Sequence, residues 1–387
     1  MLYRVIGLFA ILLAAASCSP VSLDSTEGES WSEQLDNPIV CGIITNGSYL
    51  YFADSAGSVF CYDMSSGLLH SKFQLSNQTV EAMTVYGGYQ YIITSNANDG
   101  SNYLYTYDNN GVQQSSQYFP FTPGNSVLDS SSGLFYAYNG LSFAVINLTS
   151  NPTYSTYAFG VTGSGNGVSS FVKGDSLNWY AVTTNCGVYV LNSPSFNNPA
   201  QKTVNGITGS YLLTCNAVYA NSYLYLGTSA GVLIVSTSSF TSSSSGFSDP
   251  VSSTGMVYDA ANSCLYIAYA QNATSHGIAC QTINGSSLGN PWSENRSTTY
   301  DLANSSIFFS TTYNAVGFLD DSGYIDIYNR QTGAPAYQTT LYLGTENCTG
   351  LTAPMDSTGE YVYLPVNSPN PKLVCYSVEW AMQQASK

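Results

Sequence analysis

Residues 49–69 read YLYFADSAGSVFCYDMSSGLL, and this stretch decides the fold class. An aromatic pattern, YLYFAD, is followed by a polar Ser-Ala-Gly segment and then by a second apolar pattern, SVFCYD. Runs of aromatic and β-branched residues bounded by Gly, Ser and Asp are typical of β-strands joined by turns. The stretch therefore predicts an antiparallel hairpin of apolar strands.

The aromatic strand pattern recurs along the chain at a nearly constant spacing. Its marker tyrosines lie 40, 45, 44, 45 and 41 residues apart, and a final gap of 97 residues holds one more unit, VGFLDDSGYIDIYN from Val316. Four short strands repeated at this period are typical of a β-propeller blade. We predict an all-β, eight-bladed β-propeller, with seven blades as the alternative because residues 305–312 (SSIFFSTT) could supply the marker strand of that region. The marker residues are Tyr51, Tyr91, Tyr136, Tyr180, Tyr225, Tyr266 and Tyr363.

The two ends of the repeat array predict how the ring closes. The last unit runs through LVCYSVEWAM (residues 373–382) without an outer strand. Residues 31–37, by contrast, precede the first unit and belong to none. We expect this N-terminal segment to supply the missing outer strand, so that residues 31–387 form one propeller domain.

The composition of the chain indicates the fold class and excludes two kinds of partner. The chain has 33 Tyr and 14% aromatic residues but few Glu and Lys, a balance that favours strands over helices. Eight Lys and Arg against 23 Asp and Glu give a net charge of −15. Binding to nucleic acid or to an anionic membrane surface requires clustered cations, so both are excluded as partners.

The first 30 residues predict export and anchoring. Residues 1–17 have one cation, Arg4, and a twelve-residue apolar run that is too short to span a bilayer, as in a signal peptide. The sequence Ala15-Ala16-Ser17-Cys18 resembles the lipobox of bacterial lipoproteins, which implies lipidation of Cys18. Ordinary cleavage near Ala16 is the alternative. Residues 18–30 then form a tether, and because Ser19 is not the Asp of the inner-membrane retention signal, we expect an outer-membrane or cell-surface location.

The other eight cysteines are compatible with disulfide bonds in an oxidising compartment. No pair has the CxxC spacing and no histidine lies near them, which disfavours a zinc or haem site. Buried free thiols are the alternative to disulfides. The sequential couples are Cys41/Cys61, Cys186/Cys215, Cys264/Cys280 and Cys348/Cys375.

Two repeats carry a family resemblance. GSVFCYDMSSGLL (residues 57–69) and GYIDIYNRQTGAPAY (residues 323–337) resemble the repeat of quinoprotein-type (PQQ-like) propellers, although Ser71 and Tyr337 stand where that repeat has a tryptophan. The resemblance implies an eight-bladed ring. Such rings occur in quinoprotein dehydrogenases and in the lipoprotein subunit of the bacterial outer-membrane β-barrel assembly machine, and the latter suits a lipid-anchored chain better.

A search for catalytic patterns finds little. His70 and His276 lie in no nucleophile elbow, and the loop from Asn96 to Gly100 lacks the distal Glu of a calcium site. Quinone cofactors are disfavoured because the chain has no adjacent cysteines. We therefore expect no catalytic residue, no metal ion and no cofactor.

The expected function is a non-catalytic, lipid-anchored envelope propeller that binds or scaffolds another envelope protein or a polysaccharide, and that touches the membrane only through its anchor. Recognition loops rich in Tyr, Ser, Asn and Gly suit this role. The alternative is a lactonase or glycan-cleaving propeller enzyme with a carboxylate cluster at one channel mouth. Convergence of three of six acids would favour the enzyme: Asp54, Asp99, Asp175, Asp259, Asp301 and Glu346.

Overall fold

The computed structural model describes residues 28–161, 166–175, 177–193, 196, 200–202, 204–205, 211–272, 275–296, 306–319, 325–337, 354–367 and 370–384. These residues form 31 strands in eight antiparallel sheets, and one short helix. The predicted all-β, eight-bladed propeller is confirmed. Among the described residues, no helix is long and apolar enough to cross a membrane. Cys18, Cys348, Asp301 and Glu346 lie outside the described residues.

Each of the first four blades has four strands in chain order from the central channel outwards. Blade 1 contains β2 (Ile39–Asn46), β3 (Tyr49–Asp54), β4 (Ser58–Asp63) and β5 (Leu69–Gln74). Blade 2 contains β6 (Gln78–Tyr86), β7 (Tyr89–Asn96), β8 (Asn102–Asp108) and β9 (Gln113–Phe119). Blade 3 contains β10 (Asn125–Asp129), β11 (Leu134–Tyr138), β12 (Ser142–Asn147) and β13 (Thr153–Ala158). Blade 4 contains β14 (Val168–Lys173), β15 (Asn178–Thr183), β16 (Val188–Asn192) and β17 (Ala200–Lys202).

The pattern continues around the ring. Blade 5 contains β18 (Val218–Ala220), β19 (Tyr223–Thr228), β20 (Gly231–Ser236) and β21 (Ser242–Ser244). Blade 6 contains β22 (Val251–Asp259), β23 (Cys264–Asn272), β24 (Ser275–Asn284) and β25 (Ser287–Arg296). Blade 7 contains β26 (Ser306–Ser310), β27 (Ala315–Leu319), β28 (Ile325–Asn329) and β29 (Pro335–Tyr337). Blade 8 contains β30 (Tyr361–Val366) and β31 (Lys372–Ser377), and the helix α1 (Val378–Gln384) follows.

The seven-blade alternative fails in blade 7. The segment SIFFS is the inner strand β26, and it pairs with β27, which stands at the marker position of that blade. In blades 1 to 6 the marker tyrosines occupy the second strand, in blade 8 Tyr363 lies in β30, and all of them are buried. The repeat period of the sequence therefore predicted the correct number of blades.

The N-terminal strand β1 (Glu29–Gln34) closes the ring, as predicted. It pairs antiparallel with β31, with Glu29 opposite Tyr376 and Gln34 opposite Lys372, and becomes the outer strand of blade 8. The strand begins two residues before the predicted domain boundary at residue 31, so it includes the end of the expected tether.

Two tryptophans on outer strands dock onto the next blade. Trp31 of blade 8 donates from Nε1 to the Met64 carbonyl at 3.0 Å, and its ring covers Gly67. Trp292 of blade 6 donates to the Arg330 carbonyl at 3.1 Å, and its ring covers Gly333. Both glycines have positive φ, and a Cβ there would lie 2.7 and 2.6 Å from the rings.

This finding corrects the expectation that tryptophan docking is missing. The turns that receive Trp31 and Trp292 are the Ser-Gly and Thr-Gly turns of the two repeats that carried the family resemblance. In each case the docking tryptophan comes from the preceding blade. Between blades 1 and 2 the same place is taken by Phe73, whose ring lies against Gly111.

Candidate functional site

The propeller has two faces, which are defined by the loops that they carry. The turn face holds the turns between the first and second and between the third and fourth strands of each blade. The crossover face holds the loops between the second and third strands and the connections from one blade to the next. These definitions follow from the antiparallel strand order of every blade.

A cavity of about 290 Å³ lies at the crossover end of the central channel, and we call it the channel cavity. Its walls come from the starts of the inner strands β10, β14 and β22 and from the segment that precedes β18. Inner strands line the channel of a propeller, so blades 3 to 6 build this site together. The lining residues are Asn125, Ser169, Leu213, Thr214, Cys215, Asn216 and Ser253.

A chain of backbone hydrogen bonds holds the rim of the channel cavity. Val168 N donates to Gly140 O at 2.9 Å, Thr184 N to Gly167 O at 3.0 Å, and Leu213 N to Thr184 O at 2.8 Å. Each bond joins neighbouring loops of the crossover face. The rim is thus fixed before any ligand arrives, which lowers the entropic cost of binding.

The lining is polar but carries no ionisable group except a thiol. Ser169 Oγ and Thr184 Oγ1 lie 3.0 Å apart at the wall, and the Thr214 side chain hydrogen-bonds to the Cys215 thiol. Burial raises the pKa of Cys215 to about 12, so this thiol is protonated at neutral pH. The cavity therefore offers neutral donors and acceptors.

The acids proposed for an enzymatic site divide between the two ends of the channel. Asp54 is the last residue of β3 and Asp99 lies between β7 and β8, which places both on the crossover face. Asp175 and Asp259 end or follow inner strands and lie on the turn face. No three of the four described acids share a mouth; Asp301 and Glu346 lie outside the described residues.

Hydrogen bonds explain what the described acids do. The buried Asp54 accepts from the Ala56 and Ser58 amides, and the exposed Asp99 accepts from Ser101. Each carboxylate stabilises its own turn. The Asn96 side chain likewise accepts from the Asn98 amide and stabilises its own turn.

Asp259 belongs to a buried ion pair that sequence reasoning did not find. Arg330 Nη1 of blade 7 donates to Asp259 Oδ2 of blade 6 at 2.9 Å, and Tyr266 Oη donates to the same oxygen at 3.2 Å. Both charged groups are buried. The pair is separated by 71 residues, so spacing gave no signal of it.

A second ion pair joins blades 3 and 4 on the turn face. Lys173 Nζ lies 2.6 Å from Asp129 Oδ2. Burial would raise the pKa of Asp129, but the hydrogen bonds from Lys173, Ser131 and Ser132 lower it to about 2. The two ion pairs thus connect neighbouring blades and lie away from the channel cavity.

His70, the histidine whose side chain the structure describes, plays no visible part in a site. His70 lies on the outer strand β5, with its ring 4.7 Å from that of Tyr49. His276 is in strand β24, and its side chain lies outside the described residues. Within the described ranges, no group of three His, Cys, Asp or Glu side chains is placed to hold a metal ion.

The seven described cysteines of the four couples are buried free thiols in this structure. Strand β3 lies between Cys41 and Cys61, and two strand spacings of about 4.8 Å exceed the Cα separation that a disulfide tolerates. Cys186 follows β15, whereas Cys215 precedes β18 at the channel cavity. Of the couples in which both cysteines are described, the remaining one is Cys264 and Cys280, on the paired strands β23 and β24.

We expect a disulfide bond between Cys264 and Cys280 in exported protein. Cys280 pairs with Tyr266 and Cys264 with Thr282, so the two cysteines are diagonal neighbours on one face of the hairpin, and their thiols hydrogen-bond to each other. The bond would contribute about 2–3 kcal/mol. Peptide mapping under non-reducing conditions measures it, with Cys186 as a control that should remain a thiol; free thiols at both positions would refute the prediction.

No family model matches the sequence, and no curated protein sequence matches it. Solved structures do match the fold. BamB from Moraxella catarrhalis aligns with a TM-score of 0.64 and 12% identity, covering 90% of this chain and 99% of its own. The quinohemoprotein alcohol dehydrogenase ADHIIG from Pseudomonas putida HK5 gives 0.61 and 12%, covering 92% and 78%. The computationally designed protein Ika8 gives 0.63 and 10%, covering 89% and 98%.

These likenesses define the class of the fold. The chain is an eight-bladed propeller whose fold is similar to that of BamB and of the quinohemoprotein dehydrogenase. At 10–12% identity they define the fold and not the activity, because the same propeller serves the designed protein and the dehydrogenase alike.

Proposed function

We propose that this protein is a non-catalytic, lipid-anchored envelope propeller that binds or scaffolds an envelope protein or a polysaccharide through its crossover face. The observation that carries the proposal is the channel cavity, a preorganised and uncharged site at one mouth of the ring. The likeness to BamB from Moraxella catarrhalis adds support, together with the resemblance of the sequence to the lipoprotein subunit of the β-barrel assembly machine.

The chemistry of the described residues favours binding over catalysis. General acid and base catalysis needs titratable groups beside the reacting atoms. Of the four described candidate acids, Asp54 and Asp99 stabilise turns, Asp259 forms an ion pair between blades, and Asp175 accepts from the Tyr219 hydroxyl. The one ionisable group in the channel cavity is a thiol whose pKa is raised to about 12. A lactonase or glycan-cleaving activity therefore gains no support from these groups.

Exposed leucines allow a direct test of which face binds. Leu141 and Leu212 lie on the crossover face and are 65% and 53% exposed, while Leu177 lies on the turn face and is 58% exposed. A photo-crosslinking amino acid at Leu141 or Leu212 should give a specific adduct in intact cells, identified by mass spectrometry. The matched position Leu177 should give none, and adducts from Leu177 only would contradict the proposal.

A separate prediction concerns the lipid anchor at Cys18. Cys18→Ala should convert a membrane-fraction protein into a soluble or secreted form with an unchanged melting temperature. Each methylene group of an acyl chain that is buried in the membrane contributes about 0.8 kcal/mol to binding. The three chains of the acylated cysteine therefore bind much more strongly than a single chain, whose binding is marginal. Metabolic labelling with a clickable fatty acid measures the anchor. An unlabelled wild type, or a variant that stays in the membrane pellet, would refute lipidation and leave ordinary cleavage near Ala16.

A further inference from the structure

We propose that the turn face contacts the lipid bilayer through exposed apolar side chains beside the point where the N-terminal segment enters the ring. The side chains are Leu68, Leu69 and Val112, and we call them the exit patch. The inference rests on the lipid anchor of the proposed function and adds a contact of the protein itself. From the sequence, only the anchor was expected to touch the membrane.

The N-terminal segment enters the ring at the turn face. The marker Tyr363 identifies β30 as the second strand of blade 8, so β31 is the third strand and ends at the turn face with Ser377. Ser377 N donates to the Gly28 carbonyl at 2.8 Å, and β1 begins with the next residue. Gly28 therefore lies at the turn face, and β1 runs from there towards the crossover face.

The length of the tether favours the turn face as the side that meets the bilayer. Cys18, where we expect the anchor, precedes Gly28 by ten residues (28 − 18), and a chain of this length spans at most about 35 Å. The six residues of β1 span about 20 Å between the two faces. To bring the crossover face against the bilayer, the tether would have to run along the outside of blade 8.

Two exposed leucines lie next to this entry point. The Trp31 ring of β1 covers Gly67, and Leu68 and Leu69 follow that glycine directly in the chain. Their exposed fractions are 70% and 49%. Exposed apolar side chains that are grouped together mark surfaces that bind a protein or a membrane. Their position beside the entry point of a lipid-anchored chain favours the membrane.

The corresponding turn of blade 2 extends the exit patch. Ser71 Oγ of β5 donates to the Asn109 carbonyl at 3.0 Å, and the Phe73 ring lies against Gly111. These contacts hold the blade 2 turn against β5, and Val112, which follows Gly111, is 55% exposed. Exposed apolar side chains on adjacent turns can enter the surface of a bilayer together, as the apolar face of an interfacial helix does.

The charges around the exit patch favour a bilayer surface without net charge. Asp63 and Asp108 begin the two turns, and Glu29 begins β1, whereas Lys72 and His70 are the basic residues of β5. Hydrogen bonds from two serines of its own turn hold the pKa of Asp63 below its ordinary value, so this carboxylate is charged at neutral pH. Anionic lipids would be repelled, so the contact must come from apolar burial.

The test uses the mature acylated protein in vesicles of phosphatidylcholine that contain a photoreactive phosphatidylcholine, with a diazirine near the headgroup end of one acyl chain. Illumination links this lipid to side chains that enter the bilayer surface, and mass spectrometry maps the adducts. We expect adducts in the two turns that hold the exit patch. The loops of Leu141 and Leu212, on the crossover face, should give almost none.

Substitution of the two leucines tests whether they make the contact. Leu68→Ser/Leu69→Ser should lower the adducts at Val112 by about fivefold, because two apolar side chains no longer gain from burial. The control Leu141→Ser/Leu212→Ser replaces leucines of similar exposure, 65% and 53%, and should leave these adducts unchanged. Both variants change exposed side chains, so both should keep the wild-type melting temperature.

Three results would overturn the exit patch. The first is equal labelling of the two faces, and the second is labelling at Val112 that does not depend on Leu68 and Leu69. The third is stronger labelling when phosphatidylglycerol replaces part of the phosphatidylcholine, because that would indicate attraction by charge.

The outcomes also separate this inference from the proposed function. If the acylated protein gives no adducts on the turn face while Leu212 still cross-links to an envelope protein, the exit patch is wrong and the proposed function stands. If the wild type carries no acyl chain, the anchor and the exit patch both fail.

Discussion

Deletion of residues 29–34 is expected to abolish cooperative unfolding or to lower the melting temperature by about 10 °C. The deletion removes β1, which leaves β31 as an unpaired edge and takes the Trp31 ring away from Gly67 and Tyr363. Loss of the ladder and of a docked tryptophan costs on the order of 5 kcal/mol, and each kcal/mol shifts the melting temperature by about 2 °C in a large domain. Calorimetry measures both the midpoint and the width of the transition.

The control deletion removes residues 21–27 and should leave the melting temperature unchanged. It stops before Gly28, because Ser377 N donates to the Gly28 carbonyl at 2.8 Å and the glycine lies against Tyr376 and Trp380. The substitution Trp31→Ala should fall between the two deletions, at about 2–3 kcal/mol for this half-buried ring. Equal tolerance of both deletions would show that β1 does not hold the ring closed.

Loss of one partner of the buried ion pair is the second large effect. Arg330→Met should destabilise the protein by about 3–5 kcal/mol, because Asp259 would keep its charge in a buried position without a counter-charge. Asp259→Asn should be costly for the reciprocal reason, since it leaves the guanidinium unpaired. Asparagine keeps an oxygen for the Ala261 and Asn262 amides, so the turn itself should survive.

The double variant Asp259→Asn/Arg330→Met separates the ion pair from other effects. Removing both charges avoids an unpaired buried ion, so the double variant should be more stable than the sum of the single losses predicts. Chemical denaturation of the four proteins measures the coupling. Strict additivity would mean that the two charges do not interact in solution.

The fold was predictable because each blade repeats the same local requirement. The marker position must fill the space between two sheets, and Tyr51, Tyr136 and Tyr225 are buried for that reason. The number of blades in the ring then follows from the repeat period of the sequence. Docking by Trp31 and Trp292 was not recognised because each ring and the glycine that it covers belong to different repeats. Trp31 lies 36 residues before Gly67 (67 − 31), and Trp292 lies 41 residues before Gly333 (333 − 292). A search that paired each tryptophan with the following Ser-Gly or Thr-Gly turn would have found it.

The channel cavity, in contrast, could not be predicted from the sequence. Its residues come from four blades, and each contributes a Ser, Asn or Thr of a kind that fills turns throughout the chain. Only the assembled ring brings Asn125 near Ser253. The same reason applies to Asp259 and Arg330, whose proximity depends on how blade 6 packs against blade 7.

Closure by β1 also sets the order in which the molecule can fold. Glu29 is made early, but its partner Tyr376 is made after almost all of the remaining chain. Joining such distant segments carries a high loop-closure entropy, and contacts of this range slow folding. The blades can form one after another as hairpins, yet the circle is completed in the last step. During synthesis, the nascent protein therefore passes through an open arc whose first and last sheets present unpaired edges, and this interval is when it is most exposed to aggregation and proteolysis.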